Sequence, residues 1–133
     1  MNDGYNPMRW DCQKRGCFNT KRRPKIEVFH DLFPGKINFG DVDGIVEINS
    51  KGLLLEWKSD DIDLPRGQQI MYTRLTRDKR LTVIILCGNA EYMDISHLGC
   101  FFAGQYSRPV ESSLEQAREW IASWVEYAQK GKA

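Results

Sequence analysis

Two acidic residues and one lysine near the middle of the chain have the types and spacing that metal-dependent phosphodiester hydrolysis needs. Asp43 precedes Glu56 by thirteen residues, and Lys58 follows Glu56 after one intervening residue. A Mg²⁺ or Mn²⁺ ion held by carboxylates neutralises charge on phosphoryl oxygens and generates hydroxide at neutral pH. A nearby lysine can polarise the attacking water and stabilise developing negative charge. The three residues are therefore catalytic candidates.

Two β-rich runs joined by a turn carry these residues, which predicts a β-hairpin. We expect Ser50 and Lys51 to form a two-residue loop, which pairs Asp43 with Lys58. Side chains alternate between the faces of a strand, and cross-strand partners share a face. Asp43, Glu56 and Lys58 should therefore project to one side. A loop of three residues would break this convergence unless a bulge restored it.

The surroundings of the acid-x-lysine segment favour chemistry over chance spacing. Glu56 ends the apolar run of residues 53–55, and Trp57 lies on the opposite face of the strand, where it can join the core. Charges at the end of an otherwise buried strand are costly unless they are paired or bind a metal. This position favours a functional role for Glu56 and Lys58.

The pattern of Asp43 followed by Glu56-Trp57-Lys58 resembles the PD-(D/E)xK nuclease superfamily. The resemblance covers about residues 25–88. It implies that Asp43 and Glu56 bind Mg²⁺ or Mn²⁺, that the backbone carbonyl of Trp57 adds a ligand, and that Lys58 is catalytic. It also implies an α/β fold with a restriction-endonuclease-like core, in which helices flank a central mixed β-sheet.

A further pair of residues extends the resemblance beyond the hairpin. Gln68 and Tyr72 are four residues apart and so share a helix face. They resemble the Q-x-x-x-Y motif of RecB-type exonucleases and related phage nucleases, in which the glutamine helps to hold the site. The adjacent Gln69 leaves the register open, although only Gln68 has the four-residue spacing to Tyr72. Stand-alone VRR-NUC nucleases have a similar order of elements, so the branch of the superfamily stays open.

Three other polar residues near this segment are weaker candidates. Asp41 shares the face of Asp43 by strand alternation, and we favour a solvated acid over a second metal ligand there. Glu27 precedes the hairpin, where many superfamily members carry an additional acid, but a glutamate on a helix usually faces solvent. His30 is one helical turn further and is expected at the surface.

Basic residues form two groups around this acidic centre. Between Lys14 and Lys25 there is no acidic residue, and a second group follows the helix of Gln68 and Tyr72. Basic residues on both sides of a metal site could bind the phosphates of a nucleic-acid backbone. The alternative is that these residues are solvated surface charges without a common role. The candidate DNA-contacting residues are Lys21, Arg22, Arg23, Lys25, Arg74 and Arg77.

Two helices are predicted before the central strand. Residues 24–33 should form a short helix that covers one side of the sheet and ends at a proline and glycine. A second helix should begin near residues 65–67, run to about Arg77 and bury a stripe of apolar side chains. The predicted stripe comprises Ile70, Met71 and Leu75.

The second half of the chain is expected to complete the sheet and add a helix. Residues 81–87 are apolar and β-branched, which predicts an interior strand reached by a crossover. Residues 92–96 and 99–103 should be weaker edge strands. Residues 112–129 should form a helix with Ser112 and Glu115 at capping-box spacing. Its predicted buried stripe comprises Leu114, Ala117, Ile121, Trp124, Val125 and Ala128.

Length and composition predict one domain over residues 1–133, with an irregular basic arm at 1–23. Lysine plus arginine number 19 against 18 acids, so net charge identifies no partner. No apolar run is long enough for a membrane span, and the N-terminus has no signal-peptide pattern. We expect a cytoplasmic protein, in the host cytoplasm if it is phage-encoded.

The four cysteines should then be reduced thiols. Some RecB-type nucleases bind an iron–sulfur cluster through one cysteine before the core and three after it. Here Cys12 and Cys17 precede the core while Cys87 and Cys100 follow, so that resemblance fails in detail. A zinc site that includes Cys12 and Cys17 is the alternative to unligated thiols.

The sequence therefore predicts a small Mg²⁺-dependent deoxyribonuclease, of a size that suits a phage or mobile element. One alternative is a structure-specific endonuclease of the Holliday-junction type, which would act as a symmetric homodimer. Another is a nucleic-acid-binding module that keeps the fold without turnover. Whether the DNA substrate is single-stranded, duplex or branched is left open by the sequence.

Overall fold

The computed structural model of the protein describes residues 25–59 and 63–130. The chain divides into two units, Met1–Gly40 and Asp41–Ala133. The predicted basic arm falls outside the described residues. Six residues named in the sequence analysis lie there: Cys12, Lys14, Cys17, Lys21, Arg22 and Arg23.

In the first unit, a short 3₁₀ helix spans Ile26–Leu32 and buries none of its side chains. The prediction of a short helix over residues 24–33 is confirmed in its place along the chain, although the helix has 3₁₀ geometry and residue 24 lies outside the described residues. Helices this short are marginal unless tertiary packing stabilises them, and 3₁₀ geometry is typical of such brief segments. Beyond the helix, the ring of Phe39 packs edge-on against the ring of Phe33, with ring centroids 5.2 Å apart.

The second unit is an α/β structure with a five-stranded mixed sheet and a helix on each face. Its strands are β1 (Gly44–Ile48), β2 (Lys51–Lys58), β3 (Leu81–Asn89), β4 (Asp94–Phe102) and β5 (Gln105–Glu111), in that spatial order. Helix α1 (Arg66–Leu75) makes the crossover between β2 and β3, which are parallel, while the other neighbours are antiparallel. The prediction of a mixed sheet flanked by helices is confirmed. Helix α2 (Leu114–Lys130) ends the described chain.

The hairpin of β1 and β2 differs from the predicted register. Asn49 and Ser50 form the loop, with φ angles of 54° and 68°, and Gly44 pairs with Leu55. A tight two-residue hairpin turn requires positive φ at both positions, which asparagine tolerates better than lysine. The predicted pairing of Asp43 with Lys58 is therefore wrong, and continuing the ladder places Asp43 opposite Glu56. Because the loop still has two residues, strand parity is unchanged.

Strand β3 is the buried centre of the sheet, as the sequence predicted. Six consecutive residues, Thr82 to Cys87, are buried because helices cover both faces. Two predicted edge strands, over residues 92–96 and 99–103, are instead parts of the single strand β4. Strand β5 forms one edge of the sheet and β1 the other. The sequence did not predict β5, because its polar sequence includes Pro109, which sheets accept only at an edge.

The two faces of the sheet carry separate apolar clusters. On the face covered by α1, here the α1 face, the buried residues are Leu54, Leu64, Tyr72, Val83, Ile85, Cys87 and Phe101. On the other, the α2 face, they are Leu53, Ile84, Leu86, Ile95, Ala117, Trp124 and Ala128. The sheet is therefore the middle layer between two cores, and alternation along β2 assigns Glu56 and Lys58 to the α1 face.

Helix α1 presents a different side to the sheet from the predicted one. Ile70, Met71 and Leu75 are 39%, 40% and 48% exposed, whereas Tyr72 is buried and Thr76, just after the helix, is fully buried. The Thr76 hydroxyl donates to the carbonyl of Tyr72 and accepts from the amide of Gly104. The buried side of α1 therefore includes polar side chains that form hydrogen bonds. A prediction based on the spacing of apolar residues does not detect them.

Helix α2 largely follows its predicted stripe. Ala117, Trp124 and Ala128 are buried, but Leu114, in the first turn, is 43% exposed. The predicted cap Ser112 is wrong by one residue, because the amide of Gln116 donates to the hydroxyl of Ser113 at 3.1 Å. Within the described residues, no helix has the length and apolar character needed to cross a bilayer.

Candidate active site

Glu56 is a buried carboxylate on the α1 face of β2, with only 8% of its surface exposed. The hydroxyl of Tyr72 donates a hydrogen bond to its Oε1 at 2.5 Å. Burial raises the pKa of Tyr72 far above its usual value, and the hydrogen bond to Glu56 and the charges of Glu56 and Asp43 raise it further. Tyr72 therefore stays protonated and acts as a fixed donor that positions Glu56.

Lys58 lies two residues further along the same strand face. Its Nζ is 3.9 Å from Glu56 Oε2 and donates to Gln68 Oε1 at 3.4 Å. The side chain of the neighbouring Gln69 donates instead to the carbonyl of Leu64 at 2.7 Å. Gln68 is thus the glutamine that meets the lysine, and Gln69 supports the start of α1.

Asp43 stands just before β1, at the point where the hairpin ladder ends. Its Oδ2 accepts a hydrogen bond from the backbone amide of Trp57 at 2.7 Å. The N–H and C=O of a strand residue lie on the same strand edge, so the Trp57 carbonyl also faces the side where Asp43 lies. The Trp57 ring packs in the cluster on the α2 face. The backbone of Trp57 thus borders the site while its side chain anchors the strand.

The donor set suits a divalent cation with part of its coordination left to water or substrate. The charges of two carboxylates, Asp43 and Glu56, both act on the Tyr72 hydroxyl, and the Lys58 ammonium lies 3.9 Å from Glu56. Across residues 25–59 and 63–130, three or more His, Cys, Asp or Glu side chains do not cluster in a way that would hold a metal. Mg²⁺ commonly uses only one or two protein carboxylates and keeps waters or phosphate oxygens as its other ligands.

Four further residues that the sequence singled out are exposed. Asp41 is exposed and precedes β1, so strand alternation does not extend to it. Glu27, His30 and Lys25 are exposed in the first unit. Their predicted roles stay predictions.

Helix α1 carries a basic groove on its outer side. Arg74 and Arg77, both predicted to contact DNA, line it together with Arg66, which the sequence reasoning missed. Gln69, Ile70 and Thr73 complete the lining of this depression of about 390 Å³. Within the described part of the chain, none of the three guanidinium groups forms an ion pair. Arg66 and Arg74 are about two helical turns apart, and this spacing would have predicted Arg66 on the same helix face as Arg74.

A β-bulge adds a histidine that sequence reasoning also missed. His97 pairs with Cys87 and Ile95 with Gly88, so Ser96 is an extra residue in β4. Cys87 also pairs with Lys58, which puts His97 level with Lys58 across the sheet. The Ser96 hydroxyl donates to the Cys87 carbonyl at 3.3 Å and therefore accepts from His97 Nδ1 at 2.9 Å.

The two described cysteines are both thiols without a disulfide. Cys87 is buried in the cluster on the α1 face, and burial raises the pKa of the Cys100 thiol despite a hydrogen bond with Ser107. Cys87 is buried beside the strand position of Lys58, whereas Cys100 is partly exposed on β4.

Comparison with known proteins finds no matching family model, no matching curated protein and no matching solved structure.

Proposed function

We propose that this protein is a Mg²⁺- or Mn²⁺-dependent deoxyribonuclease of the PD-(D/E)xK type. One observation carries the proposal: Glu56, Lys58, Gln68 and Tyr72 form a continuous contact chain on one face of the sheet, and Asp43 borders it. Two carboxylates and an amine in a partly buried setting are the groups that phosphodiester hydrolysis requires.

The order of elements supports the same proposal. A hairpin carries both acids and the lysine, a helix follows with Gln68 and Tyr72, and β3 returns parallel to β2. This order is similar to the restriction-endonuclease-like core that the sequence resemblance implies. Crossover helices place the ends of parallel strands together, and ligands of open α/β sheets bind outside those carboxyl ends. Lys58 is the last residue of β2 at that end.

Each residue has a separate task in the proposed reaction. Asp43 and Glu56 would hold the metal with the Trp57 carbonyl, and Tyr72 holds Glu56 in one rotamer. When bound, the ion would neutralise charge on the phosphoryl oxygens and make its bound water more acidic. Lys58 would orient the attacking water and stabilise the negative charge that develops, while Gln68 positions the amine.

The groove of Arg66, Arg74 and Arg77 would hold the DNA backbone. Guanidinium groups bind phosphate oxygens through paired N–H donors, and this contact is independent of base sequence. All three arginines are exposed; Arg66 and Arg74 lie on the helix that also carries Gln68 and Tyr72, and Arg77 follows the end of that helix. A strand held in the groove is therefore anchored by the same helix that positions the catalytic lysine.

The decisive experiment is a cleavage assay with Lys58→Ala. Linear single-stranded, linear duplex and four-way-junction DNA are incubated with the protein in Mg²⁺, in Mn²⁺ and in EDTA. We expect cleavage with either metal, none in EDTA, and a loss of about 10²-fold or more in the variant. Lys51→Ala is the matched control, since Lys51 lies on β2 but over the ring of Tyr127 on α2. Equal cleavage by Lys58→Ala and the wild type would refute the mechanism.

The products separate the alternatives. Paired cuts in the four-way junction, made by a dimer, would identify the structure-specific endonuclease. Metal-independent binding of DNA without cleavage would identify the non-catalytic binding module. Trimming or internal cutting of linear DNA would identify an exonuclease or an ordinary endonuclease.

A further inference from the structure

An open polar depression of about 590 Å³, called the cavity below, lies outside the carboxyl ends of the two parallel strands, beside Lys58. Its lining comprises Ser59, Gly88, Asn89, Ala90, Asp94 and Ser96. Ser59 follows Lys58 directly, and Gly88 follows Cys87, the β3 partner of Lys58. Ser96 accepts the hydrogen bond from His97, which is level with Lys58. The cavity therefore opens one residue beyond the proposed catalytic lysine.

The backbone around the cavity is constrained to this shape. Gly88 has a φ of 153°, and a Cβ built on it would clash with the carbonyl oxygen of Asp94. Only glycine lets β3 and β4 approach this closely. The bulge at Ser96 starts at the same place, and bulges beside active sites commonly redirect side chains. Four of the six lining residues, Gly88, Asn89, Asp94 and Ser96, belong to β3 and β4, so the strand ends set most of the shape of the cavity.

The polar groups of the cavity match a nucleobase better than a phosphate. Lysine and arginine are absent from its six lining residues, and the carboxylate of Asp94 would repel an anion. Asn89 Oδ1 accepts from the amide of Tyr92 at 3.3 Å, which leaves the Asn89 amino group as the donor for a ligand. One carboxylate acceptor and one amide donor complement a base that has an exocyclic amino group beside a ring acceptor.

We propose that this cavity binds one unpaired nucleobase of the DNA strand, with Asp94 accepting from its exocyclic amino group and Asn89 donating to its acceptor. The inference rests on the proposed nuclease function and deepens it, because it identifies the substrate as DNA with an unpaired base at the site. A paired base presents its edge in a groove and must leave the stack to enter a cavity. Adenine and cytosine carry the amino group, whereas thymine does not.

The test measures binding in EDTA, where metal-dependent cleavage does not occur. Fluorescence anisotropy gives the Kd of equal-length dA, dC and dT oligonucleotides for the wild type, for Asp94→Asn and for Glu91→Gln. We expect dA and dC to bind about tenfold more tightly than dT, within the range that one paired base contact contributes. Asp94→Asn should bring the ratio of the Kd for dT to the Kd for dA or dC close to one, because an amide both donates and accepts hydrogen bonds. Glu91→Gln, which removes a nearby exposed acid outside the cavity lining, should keep it.

Equal affinity of the wild type for dC and dT, or an unchanged ratio in Asp94→Asn, would overturn the inference. Pairing each oligonucleotide with its complement should abolish the preference, and its persistence in duplex DNA would also overturn it. Because EDTA removes catalysis, the result is independent of the cleavage assay. Failure of Mg²⁺-dependent cleavage would refute the nuclease proposal while leaving the base preference measurable.

Discussion

The two faces of β2 show how one strand serves two purposes. On the α2 face, Leu53 and Trp57 join a cluster whose buried members are all apolar apart from the indole of Trp124. On the α1 face, Leu54 starts an apolar cluster, but the strand then presents Glu56 and Lys58. The α2 face of β2 carries apolar side chains from Leu53 to Trp57, whereas the α1 face carries charged side chains in place of apolar ones at the carboxyl end of the strand. Residues that reduce stability in this way often serve function.

The largest expected effect separates charge from packing on the α1 face. Glu56→Gln keeps an acceptor for Tyr72 and removes the buried negative charge. We expect cleavage to fall about 10²-fold or more, because a metal ligand is removed, while the free energy of unfolding changes little, because glutamine still accepts from Tyr72 and Lys58 is partly exposed. Cleavage assays and urea unfolding measure the two quantities. Glu126→Gln, at an exposed position of α2, should change neither. Retained cleavage with lower stability would make Glu56 a structural residue.

On the α2 face the opposite outcome is expected. Trp124 is 5% exposed at the centre of its cluster, so Trp124→Ala should lower the free energy of unfolding by about 3–5 kcal/mol. Cleavage per folded molecule should be unchanged, since the ring lies across the sheet from the site. Trp120→Ala, at a half-buried position on the same helix, should cost less. A parallel loss of cleavage in the folded fraction would show that the two faces are coupled.

Tyr72 lies at the boundary between packing and chemistry. Tyr72→Phe removes the donor to Glu56 Oε1, and leaving a buried carboxylate oxygen without it costs roughly 1–3 kcal/mol. Urea unfolding at neutral pH measures this loss. Tyr92→Phe is the control, because Tyr92 is 75% exposed. An unchanged stability in Tyr72→Phe would mean that water replaces the hydroxyl.

The raised pKa of Tyr72 also predicts an alkaline effect. Above about pH 10 an unfolded tyrosine releases its proton while the folded one keeps it, so the unfolded state binds fewer protons and stability falls as pH rises. This component is fully present below pH 10 and is lost above it. In Tyr72→Phe the fall above pH 10 should be shallower than in the wild type, as thermal unfolding against pH would show. Equal slopes would indicate that Tyr72 does not control the alkaline limit.

The smallest expected effect concerns the outer side of α1. Arg74→Gln should weaken DNA binding and reduce the slope of log affinity against log salt by about 0.7–0.9 for each phosphate that the protein no longer neutralises. Anisotropy titrations in EDTA at several salt concentrations measure the slope. Arg118→Gln, an exposed arginine on α2, is the matched control and should leave the slope unchanged. An equal change in both variants would indicate nonspecific charge rather than a groove.

Sequence reasoning works best where one physical rule dominates. The interior strand β3 followed from a continuous apolar run, and the crossover followed from a helix between two strands. The stripe of α2 followed from apolar spacing, because that helix lies against an apolar face. The buried side of α1 was mispredicted, since Tyr72 and Thr76 are buried through hydrogen bonds that no apolar pattern records.

Strand β4 and its bulge could not be predicted from the sequence, for a different reason. Residues 92–103 contain two short apolar stretches, and only pairing with β3 joins them into one strand. Nothing in the sequence distinguishes Ser96 from other polar residues, because only the pairing of β4 with β3 shows that it is the extra residue of a bulge. The cavity beside Gly88 follows from that shift, so neither His97 nor Asp94 could be assigned to the site in advance.

The sequence by itself determined the residue types of the candidate site and the common face of Glu56 and Lys58, because alternation along one strand depends only on local geometry. Tertiary structure decided which partners they meet: Tyr72 for Glu56, Gln68 for Lys58 and the Trp57 amide for Asp43. The physical reason is that hydrogen bonds between distant segments depend on how a helix rotates against a sheet and on where a ladder shifts. Both are set by the packing of the whole unit and not by any local pattern.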